Sequence, residues 1–219
     1  MLFRSFSARL AAAYRRLGGS WTVVAGRFQR EWPAIEWMWD GRGHALVLRL
    51  FSPRHPRGVG TSLWLAALAR FLLKRREDYD AILVNVPKYE AMLCGALRRR
   101  LGKPVAVRMT LGGPTGNIEH IENLWTRRFV RRGLKGVDAY VALSRRIAGE
   151  LEAAGVASGR IAMIPNGVDC DLFRPAASPE ERLEARRRVD PEAAPEDCVI
   201  VAVGRLAPQK GYEYLLEAL

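Results

Sequence analysis

Long hydrophobic runs are scarce in this sequence of 219 residues. The longest, residues 63–73, is interrupted by Arg70 and followed by three basic residues, whereas a membrane-spanning helix needs about 20 apolar residues. The amino-terminal stretch has no uninterrupted apolar core either, because arginines at positions 4, 9, 15 and 16 divide it. We therefore expect neither a spanning helix nor a secretory signal in these residues, and a cytoplasmic location.

Cysteine is also scarce. The three cysteines, Cys94, Cys170 and Cys198, are odd in number and lack the close paired spacing of a zinc site. We expect reduced thiols in core or loop positions, no disulfide framework and no metal site.

Acidic residues are too few to balance the basic ones. Lysine and arginine number 35 against 23 aspartates and glutamates, so the formal net charge is +12 at pH 7. An excess of positive charge favours an anionic partner, such as a nucleotide phosphate, an anionic lipid surface or a nucleic acid. The sign of the charge does not choose among these three.

Apolar residues make up 49% of the chain, which is enough for a substantial core. From residue 20 onward, short apolar segments alternate with helical patterns, which predicts an α/β fold with a doubly wound parallel sheet. The continuous apolar character predicts strands that are buried on both faces. The predicted strands cover residues 21–25, 45–50, 81–86, 105–109, 139–143 and 161–164, and the predicted helices cover residues 62–76, 89–100, 118–135 and 145–154, with Gly102 and Gly155 as carboxyl-terminal caps.

The composition changes after residue 173. Four prolines punctuate residues 174–197, which contain one predicted helix at 179–189. A seventh strand is predicted at 198–203, followed by a helix that begins near Gly211. We therefore divide the chain into a Rossmann-like domain at 1–173, a linker at 174–197 and the truncated start of a second Rossmann-like domain at 198–219. A predicted helix at 6–17 stands where a first strand is expected, so that strand is interpreted as missing.

Residues 201–211 place a glycine and two cations between a predicted strand and a predicted helix. Gly204 lets the backbone approach a ligand, and the helix that begins near Gly211 offers unpaired N–H groups. Arg205 can bind two phosphate oxygens at once, whereas Lys210 acts as a mobile point charge. The arrangement favours a diphosphate on which negative charge grows as a bond breaks. An isolated pair of cations would instead be ordinary surface residues.

Further motifs accompany this pair. The sequence IPNGVD stands at residues 164–169, FRP follows at 173–175, and Gly204, Arg205, Lys210 and Gly211 complete the set. Together they closely resemble the retaining GT-B glycosyltransferases of family 4. The resemblance runs from about residue 103 to residue 219, and residues 138–144 match the family's strand at the end of its acceptor domain.

The resemblance implies transfer of a sugar from a nucleotide diphosphate sugar to an acceptor, with retention at the anomeric carbon and without a metal or a further cofactor. Gly204, Arg205 and Lys210 match the family's donor diphosphate site. Asn166 and Gly167 match the turn that leads to the interdomain crossing, and a tight Asx-type turn is the alternative role there. No residue of this sequence is assigned as catalytic.

The sequence departs from the family's pattern in three places. The paired glutamates that contact the donor lie further along the donor domain and are absent from these residues, as is the glycine-rich turn after the family's first strand. Where many members have a histidine, residues 110–117 offer Gly112 and Gly113, whose amides either approach a substrate or belong to a plain loop. His120 is expected on a helix surface. The chain by itself is expected to be inactive.

Basic residues cluster at 98–100 and at 127–135. Each cluster is either a solvated helix face or a contact for anionic lipid headgroups, and the neighbouring Trp125, Phe129, Val130 and Leu134 are either core or membrane-facing residues. We expect an acceptor from cell-envelope glycan or glycolipid synthesis and peripheral association with the inner face of the membrane.

Other classes of protein stay open. A phosphorylase or nucleotide-sugar epimerase with the GT-B fold shares the same cleft, and a non-catalytic binding module could keep the fold. A basic nucleic-acid-binding protein is the remote alternative, because no helix-turn-helix, zinc or RNA-recognition signature accompanies the charge. We therefore expect no nucleic-acid partner.

Overall fold

Helices and strands alternate along the chain in a computed structural model, which describes residues 18–19, 22–26, 44–48, 57–114, 116–204 and 206–219. The predicted helix at 6–17 and the predicted site residue Arg205 lie outside the described residues. The chain divides into two units, residues 1–166 and residues 167–219.

The described strands of the first unit form two parallel sheets. Strand β1 (Thr22–Gly26) pairs with β2 (His44–Leu48). The larger sheet contains β3 (Ile82–Asn85), β4 (Val105–Met109), β5 (Ala139–Ala142) and β6 (Ile161–Met163), and each of these strands pairs with the next along the chain. All six predicted strands are confirmed, because short runs of apolar residues bounded by turn formers mark buried strands well.

Helices flank the larger sheet, as the Rossmann-like α/β prediction requires. They are α1 (Arg57–Lys74), α2 (Tyr89–Leu101), α3 (Asn117–Glu122), α4 (Arg127–Leu134) and α5 (Arg145–Ala153). Both predicted caps are confirmed: Gly102 ends α2 with φ +66° and Gly155 follows α5 with φ +86°.

The prediction of one helix over residues 118–135 is wrong, because α3 and α4 are separate helices. Asn123 ends α3, and its side-chain amide donates to Glu119 Oε1 at 3.2 Å. Thr126 precedes α4, and its hydroxyl lies 3.1 Å from the hydroxyl of Tyr89 on α2. This contact between distant parts of the sequence holds the break in place.

The core lies between the helices and one face of the larger sheet. Strand β4 buries alternate residues, Val105, Val107 and Met109, while Ala106 and Arg108 between them are half-buried. The expectation of equal burial on both faces is therefore wrong for this strand. The helices contribute residues at helical spacing to the same core, namely Trp64, Leu68 and Leu72 from α1, Ala91, Cys94 and Leu101 from α2, and Ile147 and Leu151 from α5.

Helices α2 and α4 cross at glycines. A methyl carbon on Gly95 would overlap the carbonyl oxygen of Gly133, and one on Gly136 would overlap the carbonyl oxygen of Gly95. The two backbones can approach this closely because no side chain stands between them.

The second unit begins with an irregular segment and contains α6 (Pro179–Arg187) and α7 (Tyr212–Glu217). Helix α6 is capped by Ser178, whose hydroxyl accepts from the Glu181 amide at 3.2 Å, and it begins at a proline. The predicted helices at 179–189 and near Gly211 are confirmed.

The predicted strand at 198–203 is wrong. These residues have no strand hydrogen bonding, and Val199, Ile200, Val201 and Val203 are exposed. A parallel strand needs a neighbour to complete its backbone hydrogen bonds, and the described part of this unit contains no strand beside it.

None of the three cysteines is in a disulfide in the described structure: Cys94 is buried, whereas Cys170 and Cys198 are exposed. That the thiols are reduced stays a prediction. Burial, assisted by the charge of Glu90, raises the pKa of the Cys94 thiol to about 12, so this thiol stays protonated at neutral pH. In the described residues, no helix is both long enough and apolar enough to cross a bilayer.

Candidate functional site

The carboxyl ends of β3, β4, β5 and β6 lie at one edge of the larger sheet, because all four strands run in the same direction. In open α/β sheets, ligands bind in the crevice outside this edge. The loops that follow the four strands therefore form the candidate site.

Three polar side chains from distant parts of the sequence meet near this edge. Asn85 ends β3 and is the register partner of Arg108 on β4, and the Arg108 guanidinium donates to Oδ1 of Asn166, beyond the end of β6. Burial lowers the pKa of the Arg108 guanidinium. The side-chain oxygen of Asn85 is buried and has no hydrogen-bond donor within the described structure. A buried acceptor without a donor is uncommon in a folded protein.

The backbone at the end of β3 is strained. Val86 has φ +76°, although it is β-branched, and its amide donates to the carbonyl oxygen of Arg108 at 3.1 Å. Backbone strain of about 1–3 kcal/mol occurs mostly at functional sites, where the surrounding structure maintains it.

The loop after β4 is held by Asn117, a buried polar side chain. Its Oδ1 accepts from the amides of Thr110 at 2.7 Å and Leu111 at 2.9 Å. These bonds satisfy two backbone donors that leave the sheet, so the loop keeps a defined conformation.

Gly112 and Gly113, two predicted secondary site residues, pack against α5. The Gly113 amide donates to Glu150 Oε1 at 2.7 Å, and a methyl carbon on Gly112 would lie 3.0 Å from Ile147. Glu150 also accepts from Arg146 at 3.1 Å. The Gly113 amide is thus used within the fold, which supports the plain-loop alternative for this residue.

The first and last residues of the motif at 138–144 both make hydrogen bonds that stabilise the fold. Asp138 accepts from the Val105 amide at 2.8 Å and from the Arg98 guanidinium, with the nearest nitrogen at 2.7 Å. The hydrogen bond from Arg98 is the main cause that holds the pKa of Asp138 below its usual range. Ser144 caps α5 by accepting from the Ile147 amide at 3.4 Å.

In the second unit, Gly204 and Lys210 lie at the two ends of one turn. A methyl carbon on Gly204 would lie 3.9 Å from Lys210 Cδ and 2.6 Å from the hydroxyl of Tyr212. Lys210 is exposed and ends a short 3₁₀ helix, Pro208–Lys210. The structure therefore brings together two of the three residues predicted to bind a diphosphate.

The remaining predicted residues fall in separate places. Asn166 belongs to the first unit and its side chain accepts from Arg108, whereas Gly167 begins the second unit and has open space around its Cα. His120 is exposed on α3, as predicted. The described residues contain no group of three His, Cys, Asp or Glu side chains that could hold a metal, and the absence of a metal stays a prediction.

Two residues of the site, Asn85 and Arg108, were not predicted from the sequence. The sequence feature that could have revealed them is a polar residue inside an apolar strand segment, where polar side chains are uncommon. Their proximity to Asn166 had no signal in the sequence, because it depends on the pairing of separate strands.

Comparisons with known proteins agree with this architecture. Residues 4–167 match the glycosyl transferase 4-like domain. The chain is 30% identical over 166 residues to 2-deoxystreptamine glucosyltransferase from Streptomyces kanamyceticus, a match that covers 71% of this chain and 42% of that protein.

A solved structure shares the fold. The crystal structure of Anabaena Alr3699/HepE in complex with UDP superposes with a TM-score of 0.55 and 16% identity, covering 90% of this chain and 56% of that one. The chain thus spans about half the length of the relatives that it matches. The parallel sheet, the family motifs and the domain match over three quarters of the chain lead to one conclusion: the chain belongs to the glycosyl transferase 4-like family.

Proposed function

We propose that these residues are part of an enzyme that transfers a sugar from a nucleotide diphosphate sugar to an acceptor, with retention at the anomeric carbon. The observation that carries the proposal is the meeting of Asn85, Arg108 and Asn166 near the carboxyl edge of a parallel sheet, in a chain of this family. The name of the Streptomyces relative supports sugar transfer, and the UDP bound to HepE supports a nucleotide-linked donor.

In this proposal the donor diphosphate binds at Gly204, Arg205 and Lys210, and residues 198–219 begin the donor domain. The positive charges of Arg205 and Lys210 stabilise the negative charge that grows on the diphosphate as the bond to the sugar breaks. Neither a metal nor a further cofactor is needed for this step. The acceptor side is the edge of the larger sheet, near which Asn85, Arg108 and Asn166 lie.

Two classes of acceptor are in competition. The basic surface of the first unit favours a cell-envelope glycan or a glycolipid, with the enzyme peripheral to the inner face of the membrane. The name of the Streptomyces relative favours an aminocyclitol instead, since that protein is called a 2-deoxystreptamine glucosyltransferase.

The test uses the protein encoded by the complete reading frame around these residues. It is incubated with a panel of nucleotide diphosphate sugars and both classes of acceptor. Release of nucleoside diphosphate measures turnover, and the anomeric coupling of the product in NMR reports retention or inversion. We expect Arg205→Ala and Lys210→Ala each to lower kcat/KM by about 100-fold or more, because each removes a preplaced charge.

Arg182→Ala is the matched control, because Arg182 is an exposed cation on α6 of the same unit. It should leave kcat/KM within about twofold of the wild type. Transfer with inversion, or variants at positions 205 and 210 that match the wild type, would contradict the proposal. Phosphorolysis or epimerisation of the donor would identify another GT-B enzyme, and a folded protein without turnover would favour a binding module.

A further inference from the structure

Two aromatic side chains project from the surface beside α4. Trp125 is 91% exposed and Phe129 is 72% exposed, whereas the adjacent Val130 is buried. Of the two alternatives left open by the sequence, core or surface, these aromatics therefore occupy the surface. A pair of exposed aromatic side chains this close together commonly marks a contact with a partner or a membrane.

Trp125 and Phe129 line one side of a groove between α2 and α4, with a volume of about 1220 Å³. A second cavity in the described structure, lined by Met109 and Leu151 among others, has a volume of only about 120 Å³. Its apolar lining includes Met92, Leu93 and Val137. The close glycine crossing of the two helices forms its floor.

Cations surround the same groove. Arg99, Arg132 and Lys135 line it and are exposed, and within the described structure none of them has a carboxylate oxygen within 4.0 Å. Asp138 is the one acidic side chain among the described lining residues, and its charge is already paired with Arg98. The uncompensated charge of the groove is therefore positive.

We propose that Arg99, Trp125, Phe129, Arg132 and Lys135 form a docking surface for an anionic lipid bilayer, which we call the aromatic–basic surface. Aromatic side chains at an interface enter the boundary between headgroups and acyl chains, while neighbouring cations contact the headgroup phosphates. The inference rests on the peripheral membrane association proposed above and names the surface of the first unit that makes the contact.

Single-stranded nucleic acid is the competing ligand, because it also combines phosphates with flat groups that stack on aromatic side chains. The apolar lining of the groove favours the bilayer. Met92 and Leu93, which are half-buried, offer no side-chain hydrogen bonds to a base or phosphate, whereas they suit contact with acyl chains.

The test is sedimentation of the 219-residue chain with vesicles. One set contains only phosphatidylcholine, and the other contains equal parts of phosphatidylcholine and phosphatidylglycerol. We expect binding to the anionic vesicles only, and weaker binding as salt screens the headgroup charge. Vesicle binding needs neither donor nor acceptor, so its failure leaves the proposed sugar transfer untouched.

Two double variants locate the contact. Trp125→Ala with Phe129→Ala removes the apolar anchors, and Arg99→Gln with Arg132→Gln removes two charges. Each should weaken the partition onto anionic vesicles by roughly tenfold or more. All four side chains are exposed, so circular dichroism and the unfolding midpoint should stay close to those of the wild type.

The matched controls carry equivalent changes elsewhere. Tyr214→Ala removes an aromatic side chain that is 70% exposed in the second unit, and Arg70→Gln with Arg182→Gln removes two exposed charges. Both should bind vesicles as the wild type does. Equal weakening by the controls, binding to neutral vesicles alone, or binding to a random oligonucleotide but not to vesicles would each overturn the proposal.

Discussion

Asp138 shows how a residue from a family motif can stabilise the fold. Its carboxylate accepts from the amide of Val105, a residue with no exposed surface, and from Arg98. The buried N–H group is the more important partner, because leaving it without an acceptor costs about 1–3 kcal/mol. The ion pair adds less, since both side chains are partly exposed to water.

Two substitutions at Asp138 distinguish the contribution of the Val105 hydrogen bond from that of the Arg98 ion pair. We expect Asp138→Ala to lower the free energy of unfolding by about 2 kcal/mol, because it leaves the buried Val105 amide without a hydrogen-bond acceptor. Asp138→Asn should lower it by about 1 kcal/mol or less, because the amide oxygen can still accept that bond while the charge is lost. Urea denaturation at pH 7 measures both differences.

The pH dependence of folding stability follows from the direction in which the pKa of Asp138 is shifted. A lowered pKa stabilises the folded state above the ordinary aspartate pKa of about 3.9, and this contribution is lost as the pH falls through the folded-state value. The difference between wild type and Asp138→Asn should therefore begin to shrink below about pH 4 and vanish only below the folded-state pKa, while part of the Asp138→Ala difference persists. Differences that are equal for the two variants at every pH would contradict this account.

At the same scale, sequence reasoning named Gly204, Lys210 and Asn166 as site candidates but did not find the contact between Asn166 and Arg108. Gly204 and Lys210 are neighbours along the chain, so one turn brings them together. Arg108 and Asn166 are far apart in the sequence, and only the pairing of β4 with β5 and of β5 with β6 brings them into contact. Periodicity carries no information about such pairings.

At the scale of elements, the sequence predicted buried strands better than the limits of helices. Strand β4 was placed to the residue, because its apolar run is bounded by Pro104 and by the polar Thr110. The break between α3 and α4 was missed, because the contact between Thr126 and Tyr89 that holds it is tertiary. The segment 198–203 has the composition of a strand, yet composition alone cannot supply the neighbour that a strand needs.

The crossing of α2 and α4 offers a direct test of helix packing. Gly95→Ala places a methyl carbon against the carbonyl oxygen of Gly133, which cannot move without shifting α4. We expect a loss of about 2 kcal/mol or more in the free energy of unfolding, even though alanine favours the helix. Urea denaturation measures the change.

Gly149→Ala is the matched control within a helix. Gly149 lies in α5, and a methyl carbon there would meet nothing within 4 Å. We expect it to raise the free energy of unfolding by about 1 kcal/mol, which is the difference in helix propensity between alanine and glycine. A Gly95→Ala protein as stable as the wild type would show that the helices separate easily.

At the scale of the whole molecule, the two units differ in how many hydrophobic side chains they bury. The first unit contains the continuous core, whereas Ala193, at 2% exposure, is the one described residue of the second unit in the buried hydrophobic set. Local stability follows the number of buried contacts and protected hydrogen bonds. The second unit should therefore open far more often than the first.

Hydrogen exchange of the 219-residue chain tests this difference. We expect the amides of β4 and β5 to exchange at least about 100-fold more slowly than those of residues 198–203, which are exposed and outside any strand. Mass spectrometry of peptic peptides measures both regions in one experiment. Similar protection of the two regions would mean that residues 198–203 pair with a strand in solution.

The order of the strands in the larger sheet also bears on how the protein is made. Each strand from β4 to β6 pairs with the one synthesised just before it, as Val105 does with Ile82 and Ile161 with Tyr140. Contacts between near neighbours in sequence close small loops and form quickly, and domains fold as the chain emerges from the ribosome. The sheet can therefore grow by one strand at a time during translation, with each new strand adding to an edge that already exists.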